Sequence, residues 1–398
     1  MRRVSLVFIL VMFTAVSAFS LDFGLLVAQK VDAENNFFSY SPAFTPWVSW
    51  AGDKGVSFYG SGIFTLTYNK YSGEMSNLSG WTKPALTPEL GRFALVYRKG
   101  TDFFLEAGRV SYEDALIFAA SEFFDGLRVE MDFPQGTISA GAFYSGFQYK
   151  ESAKILMTGT DGKIYAEPWA FDNFDAYFAS RRALGSFRWD MPLGENNMLA
   201  LEALAQFDLN GKEESLHSQY GIAKIDFYPK ETMSLALGAI FQAKEHNDIG
   251  FGAAFGVFAG FKADVPGDLN DWVDINGKFT SGDWNDNISS FIPITSITQG
   301  EIFTGTLAGL ARLEAGYHAR FNSLLAGASL RYFINTADKP MTEGKLCGGE
   351  IWGSADWQPM DDLRLGFGAG AFLPSLGNAK LYEDKMQWKL SFDLTLSI

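Results

Sequence analysis

The stretch from Met386 to Ile398 reads MQWKLSFDLTLSI. Met386, Trp388, Leu390, Phe392, Leu394, Leu396 and Ile398 share one parity, and Gln387, Lys389, Ser391, Asp393, Thr395 and Ser397 share the other. Successive side chains of a strand point to opposite sides, so this is a strand with one apolar and one polar face. The alternation runs to the last residue with no polar tail.

The same pattern recurs upstream. Leu127, Val129, Met131 and Phe133 alternate with Arg128, Glu130 and Asp132, and Phe93, Leu95 and Tyr97 stand beside Arg92 and Arg98. Leu199, Leu201, Ala203, Ala205, Phe207 and Leu209 alternate with Glu202, Gln206 and Asp208. Phe251 to Phe261 alternates large apolar residues with Gly252, Gly256 and Gly260, and Leu363 to Ala371 does so with Arg364, Gly366, Gly368 and Gly370. None of these segments has the 3.6-residue period of a helix.

Turn residues cut the chain into strand pairs. Tight turns are expected at Gly52 to Gly55, Lys99 to Thr101, Phe133 to Gly136, Met191 to Asn196, Pro229 to Glu231, Val265 to Leu269, Phe321 to Ser323 and Pro359 to Asp361. Longer polar loops are expected at Val31 to Phe44, Lys70 to Pro88, Val110 to Ser121, Glu151 to Asp172, Asn210 to His217, Lys244 to Asp248, Gly282 to Glu301, Thr336 to Lys345 and Pro374 to Lys385. Turns and loops alternate, which requires about eighteen strands with both ends on the turn side, or sixteen if the first two segments are not strands.

Alternation alone fits a soluble sandwich as well as a membrane barrel. Three observations favour the barrel. Segments such as Phe174 to Asp190 and Ile302 to Arg320 are read as strands well beyond the roughly 5–6 residues usual in soluble sheets. Aromatics sit near strand ends, as at Trp189, Phe227, Tyr228, Trp352, Trp357 and Trp388, where interfacial girdles place them. The 37 Phe and 41 Gly suit a lipid-facing outside and a crowded or open inner wall. A sheet in lipid must close on itself, because lipid offers no hydrogen bonds. Residues 21–398 are therefore expected to form a single transmembrane, antiparallel, up-and-down β-barrel, all-β in class, with short periplasmic turns and longer extracellular loops. Its last strand is expected to pair with its first and to be handled by barrel-assembly machinery.

The N-terminus reads as a secretory signal peptide over residues 1–20. Arg2 and Arg3 precede an apolar run from Val4 to Phe13, and small residues place cleavage after Ala18 or Ser20. The run is shorter than the ~20 residues a helical span needs. Cys347 is the only cysteine, so an internal disulfide and a cysteine-based metal cluster are both excluded. The formal net charge of -14 argues against a nucleic-acid partner, whose phosphates it would repel.

The segment Glu106 to Phe133 carries Gly108-Arg109, then Tyr112 and Asp114, then Asp125-Gly126 and Arg128. It resembles a segment of the alginate-export and related porin-like outer-membrane families, with Val110 in place of the Gln that often follows Gly-Arg there. What the resemblance implies is the class, a large porin-like barrel in a Gram-negative-type envelope.

On such a barrel the polar faces line the lumen, and their charges set selectivity. The candidate pore-lining residues are Arg92, Arg98, Glu106, Arg109, Arg128, Glu130, Asp132, Glu202, Lys224, Asp226, Lys262, Arg312, Glu314, Arg331, Arg364 and Lys389. The two signs are near balance, so the residues alone assign no ion preference. Acidic and aromatic clusters mark two loops, one with Glu167, Trp169, Phe171, Asp172 and Asp175, the other with Asp283, Trp284, Asp286 and Asn287. His217, His246 and His318 form no metal-ligand spacing, and there is no Gly-x-Ser-x-Gly elbow or phosphate-binding loop. No catalytic, cofactor-binding or metal site is therefore assigned, and the chain reads as a non-enzyme. The expected activity is passive diffusion of small hydrophilic solutes across an outer membrane. Two other readings are a surface-exposed adhesive or binding barrel, and a transporter of hydrophobic solutes that uses Val27 to Tyr40 as an inward hatch.

Overall fold

A computed structural model of the chain describes residues 21–398 apart from 53, 72–79, 82–83, 212–213, 268, 284–288, 338–343 and 380–384. The expected signal peptide, residues 1–20, lies outside the described residues, as do Trp284, Asp286 and Asn287.

Eighteen long strands form one sheet. They are β1 (Leu21–Glu34), β2 (Phe37–Ala51), β3 (Val56–Tyr71), β4 (Ala85–Lys99), β5 (Phe103–Glu113) and β6 (Ser121–Phe133). Next come β7 (Gly136–Tyr144), β8 (Arg182–Pro192), β9 (Asn197–Asp208), β10 (Leu216–Lys230), β11 (Met233–His246) and β12 (Gly250–Asp264). The last six are β13 (Asn270–Thr280), β14 (Leu310–Phe321), β15 (Leu324–Asn335), β16 (Leu346–Met360), β17 (Leu363–Leu373) and β18 (Gln387–Ser397). Each pairs antiparallel with its chain neighbours, and Gly80–Trp81 adds a short pairing to Lys70. The sheet closes where β1 meets β18, in register from Leu26↔Ser397 to Glu34↔Lys389. Strand accounts for 69% of the described residues and helix for 5%, so the fold is an all-β, eighteen-stranded antiparallel barrel.

The two faces are arranged as lipid and water demand. Leu201, Phe207, Leu237, Phe241, Phe255, Ile275, Leu330, Ile351, Phe367 and Leu390 are exposed on the outside. Glu202, Gln206, Ser218, Gln242 and Lys244, of the opposite parity, are buried within. A soluble barrel of this kind would bury the first set and expose the second. The strands also have the reach to cross a bilayer: β12, with 15 residues, extends about 50 Å along its own axis.

All eight expected turns join strands on one side. Gly136 is the clearest case of a required glycine there. Its φ is +125°, and an added Cβ would lie 2.0 Å from the carbonyl oxygen of Asp190 on β8. Seven of the nine expected loops join strands on the other side as longer connections, whereas Lys244 to Asp248 is no long loop: β11 and β12 pair as far as His246↔Gly250, with only Asn247, Asp248 and Ile249 between them.

Other expectations also differ from the structure. Val31 to Phe44 is not a long loop: β1 and β2 run in unbroken register from Leu21↔Trp50 to Glu34↔Phe37, joined through Asn35 and Asn36 alone. Pro42 and Pro46 suggest a loop, but they sit where the β2–β3 ladder skips, between Tyr40↔Tyr68 and Ala43↔Thr65 and between Phe44↔Phe64 and Trp47↔Ser61. A proline has no N–H to give to a ladder, so these gaps are its place in a sheet. The proposed hatch, Val27 to Tyr40, is consequently barrel wall. The segments Phe174 to Asp190 and Ile302 to Arg320 are strand only from Arg182 and Leu310 onward. Their earlier parts, including Phe303 and Leu307, are apolar because they pack inside the barrel as loop.

Candidate functional site

The lumen is narrowed by three loop-side connections that fold inward. Residues 114–120, 145–181 and 289–309 bring Leu116, Phe118, Ile155, Met157, Phe291, Ile294 and Leu307 against the inner faces of β5 to β12. There they meet Val110, Tyr112, Phe124, Phe143, Leu184, Leu204, Tyr220, Ile222 and Ile240 in one buried cluster. Inward apolar residues on these strands break the rule of a polar inner wall, and this packing is the reason.

Each loop is tied by buried polar groups. The Asp114 carboxylate accepts the backbone N–H groups of Leu116, Phe118, Ala119 and Ala120 at 3.0, 3.0, 2.7 and 2.9 Å. Burial pushes its carboxyl above the ordinary value, and those donors pull in the opposite direction. The turn they hold places Ile117 at φ +53°, a strained conformation for a β-branched residue. Glu202 on β9 accepts the Tyr112 hydroxyl at 2.5 Å and the Ala115 N–H at 2.8 Å, fixing the loop to the wall.

In the loop of residues 145–181, a short helix, Gly159–Ala166, opens with a capping box between Thr158 and Asp161. Asp161 also holds Arg182 of β8 at 2.5 Å, and Arg182 reaches Asp208 of β9 at 2.8 Å, with all three side chains fully buried. The segment of residues 289–309 is held by Gln242, which accepts from Ile292 N–H at 3.0 Å and donates to Ile292 C=O at 2.9 Å. Lys244 donates to the Ser290 carbonyl, and Glu350 accepts the N–H groups of Glu301, Ile302 and Phe303 at 3.0, 3.0 and 2.9 Å. The loops also bind one another, with Ile294 N–H donating to the Ala119 carbonyl at 2.7 Å and Ser296 N–H to the Lys154 carbonyl at 2.9 Å.

The charged candidates fall into groups on the inner faces. On β4 to β6, Arg92 and Arg128 share Glu106 at 2.7 and 3.4 Å, Arg128 reaches Glu130 at 3.4 Å, and Arg98 lies 4.5 Å from the Phe104 ring centre. Asp132 accepts the Thr137 hydroxyl at 2.5 Å, near the turn side. Lys224 pairs with Asp226 at 3.1 Å, Lys262 lies 4.5 Å from the Trp272 ring centre, and Arg364 pairs with Asp356 at 2.8 Å. At the loop side Lys389 meets Glu34 at 3.1 Å. Arg312, Glu314 and Arg331 form a chain that continues to Glu350, at 2.9, 3.0 and 2.9 Å. His318, beside this group, contacts Asp274 at 3.0 Å.

Arg109 is placed differently. In register it faces Asp125, on the parity opposite to Val110 and Phe124. Its guanidinium holds Asp125 at 2.9 Å and donates to the carbonyls of Leu90 and Phe147. It is 4% exposed, so it braces the wall rather than facing water.

Lys278 is absent from the candidate set, yet it stands where the loop of residues 114–120 approaches the wall. Its ammonium donates to the carbonyls of Leu116 and Ile117 at 3.2 and 3.0 Å and lies 4.9 Å from the Phe118 ring centre. Arg312 is directly opposite it in register. The alternation of Lys278 with Phe279 could have identified it; Glu350 and the Arg182–Asp161 pair carry no local signal, because their partners are far away in sequence.

Beside the narrowed zone, the inner wall of β14 to β18 keeps an open recess of about 270 Å³ lined by Glu314, His318, Ser329, Arg331, Trp352, Asp356 and Asp393. Gly366 and Gly368 help to make the room. Loops thus fill one side of the lumen, and polar, charged wall is left on the other.

No protein-family model matches the chain. No curated protein matches it either. Solved structures do. The Pseudomonas aeruginosa protein OpdK, crystallised with vanillate, aligns at TM-score 0.62 and 13% identity over 95% of this chain and 99% of that one. OccK8 (OprE) of the same organism aligns at TM-score 0.60 and 11% identity over 95% of this chain and 98% of that one. OccK3 (OpdO), also from that organism, aligns at TM-score 0.59 and 12% identity over 95% of both. At such identities the likeness is one of fold. It is consistent with a general porin-like barrel and does not support the narrower alginate-export resemblance drawn from Gly108, Arg109 and their neighbours.

Proposed function

We propose that the chain is an outer-membrane channel through which small hydrophilic solutes diffuse, with residues 1–20 as its cleaved leader. The observation that carries this reading is the placement of the three inward loops. They occupy much of a barrel too wide for side chains to fill, and they leave open beside them the polar recess lined by Glu314, His318, Arg331, Asp356 and Asp393. An adhesive barrel would have no use for loops tied into its own lumen by Asp114, Glu202, Gln242 and Glu350.

The narrowed zone favours anions. Its acids are already engaged: Glu314 by Arg312 and Arg331, Glu350 by Arg331 and three N–H groups, and Asp114 by four. Lys278 has carbonyl groups and an aromatic ring as its partners, so its charge is left to act on a passing solute. Cationic side chains at a constriction select anions. OpdK, similar in fold, was crystallised with vanillate; a small aromatic carboxylate of that kind is a reasonable test solute here. The experiment is conductance of the refolded protein in planar bilayers under a salt gradient. Steps with a reversal potential on the anion side are expected, and electrically silent bilayers containing folded barrel would refute the reading.

A further inference from the structure

The wall between β4 and β5 is laddered only part-way. Pairing runs from Lys99↔Phe103 to Ala94↔Gly108, yet β4 continues to Ala85 and β5 to Glu113. The ladder ends at Gly108, whose φ is +124° and whose added Cβ would lie 2.0 Å from the Phe93 carbonyl oxygen. Beyond this point β5 pairs only with β6, and Val110, Tyr112 and Phe124 of the two strands are buried against the inward loops. The upper part of β4 is left with a free edge toward β5.

That edge lies at lipid depth, because Leu86, Leu90 and Phe93 are 43%, 49% and 47% exposed on its outer side. Lipid cannot satisfy backbone groups, so an edge there must be covered. Side chains do it. The Leu90 carbonyl accepts from the Arg109 guanidinium, and the Pro88 carbonyl accepts from the Tyr177 hydroxyl at 2.6 Å. Pro88 itself has no N–H to satisfy. Ser152 donates to Glu89 at 2.9 Å, and Gln148 to the Phe123 carbonyl. Tyr177 is held in turn by stacking on Tyr149, with ring centres 4.7 Å apart. The break is therefore closed by a strap, residues 147–152 with Tyr177, through fasteners that can release without unravelling a ladder.

We propose that this break is a lateral gate. Release of the strap joins the lumen to the surrounding bilayer and admits a small amphipathic molecule. The chemistry of the gap defines that molecule. Leu86, Leu90, Phe93 and the exposed Phe147 suit an aliphatic or aromatic body, and the Arg109–Asp125 pair suits a single polar head group. Axial passage of hydrophilic solutes and lateral passage of an amphiphile are separate routes, so one can fail without the other.

The test uses full-length protein in vesicles, with Cys347→Ala to remove the native thiol. A cysteine at Arg92, on the inner face beside the gap, reports on the lumen, and one at Leu90 reports on the lipid side. The probe is a phospholipid with a maleimide at the end of one acyl chain. Loosening the strap with Tyr177→Phe and Ser152→Ala removes two fasteners, so labelling at Arg92→Cys should rise roughly tenfold. Labelling at Leu90→Cys should not change. If the double variant does not fold, as judged by heat-modifiable gel migration, Tyr177→Phe alone should give a smaller rise in the same direction. Equal labelling of Arg92→Cys with the strap intact and loosened, in folded protein whose Leu90→Cys control reacts, overturns the gate. Ion conductance, recorded on the same samples, reports on the axial route alone.

Discussion

Lys278 of β13 and Arg312 of β14 are direct cross-strand partners, so two cations face each other on the inner wall. Like charges in this position destabilise a sheet. Arg312 is compensated by Glu314 at 2.9 Å and by Asn276 at 2.7 Å, whereas Lys278 turns to the carbonyls of the inward loop. Lys278→Met removes the less compensated charge. At an effective separation of about 4 Å in water-like surroundings this is worth about 1 kcal/mol, or roughly a fivefold fall in the anion-to-cation permeability ratio. Reversal potentials under a salt gradient measure it. The barrel itself should gain slightly in stability, because the repulsion is gone.

The turn at Asp114 makes the opposite prediction for stability. Asp114→Ala strands several buried N–H groups at once, each costing about 1–3 kcal/mol when it finds no new partner. The loop of residues 114–120 should detach from the wall while the strands stay paired. The signature is a noisier channel with a larger mean conductance and unchanged heat-modifiable migration. Ile117→Asn, by contrast, should tighten the same loop by about 1 kcal/mol, since asparagine tolerates the left-handed backbone that isoleucine resists.

Arg182→Met leaves Asp161 and Asp208 buried without their cation. Breaking a buried pair in this way costs about 3–5 kcal/mol. The loss falls on the contact between the loop of residues 145–181 and the wall, because Asp161 belongs to the loop and Asp208 to β9. Protease added outside intact vesicles should cut this loop in the variant and spare it in the parent, with the barrel surviving as two strongly associated pieces.

Glu350→Ala frees the N–H groups of Glu301, Ile302 and Phe303 and removes one partner of Arg331. The segment around Phe303 should then leave its packing against Phe333, now stacked at 4.2 Å between ring centres. Fluorescence of a label placed on Glu301 should show faster motion in the variant. An unchanged label would mean that Phe303 alone holds the segment.

Where the wall obeys alternation, the sequence predicts it well. Leu199 to Asp208 and Met386 to Ile398 can be read residue by residue, because lipid and water impose a period of two along each strand. Asn35 and Asn36 precede an aromatic and proline-containing run that hides their turn, since a proline in a ladder gap looks like a loop in one dimension. The lumen was harder. Phe303 and Leu307 look like strand residues, and Leu204 and Ile240 look misplaced on a polar face, until the loops that cover them are seen. Parity alone picks out the charged candidates, and Arg109, set at the break above Gly108, therefore stands among residues it does not join. Asp161 and Arg182 meet only through folding of the chain, and no spacing rule reaches across the intervening loop.

Lipid touches one parity of the strands, and the lumen, filled by water or by the inward loops, touches the other. Spin labels at Leu390 and Ser391, introduced one at a time with Cys347→Ala, test this at adjacent residues of β18. Collisions with oxygen dissolved in the bilayer should dominate at Leu390, and collisions with a water-soluble nickel chelate should dominate at Ser391. The reverse order, or aqueous access at both positions in folded protein, would contradict the barrel's orientation and the channel that depends on it.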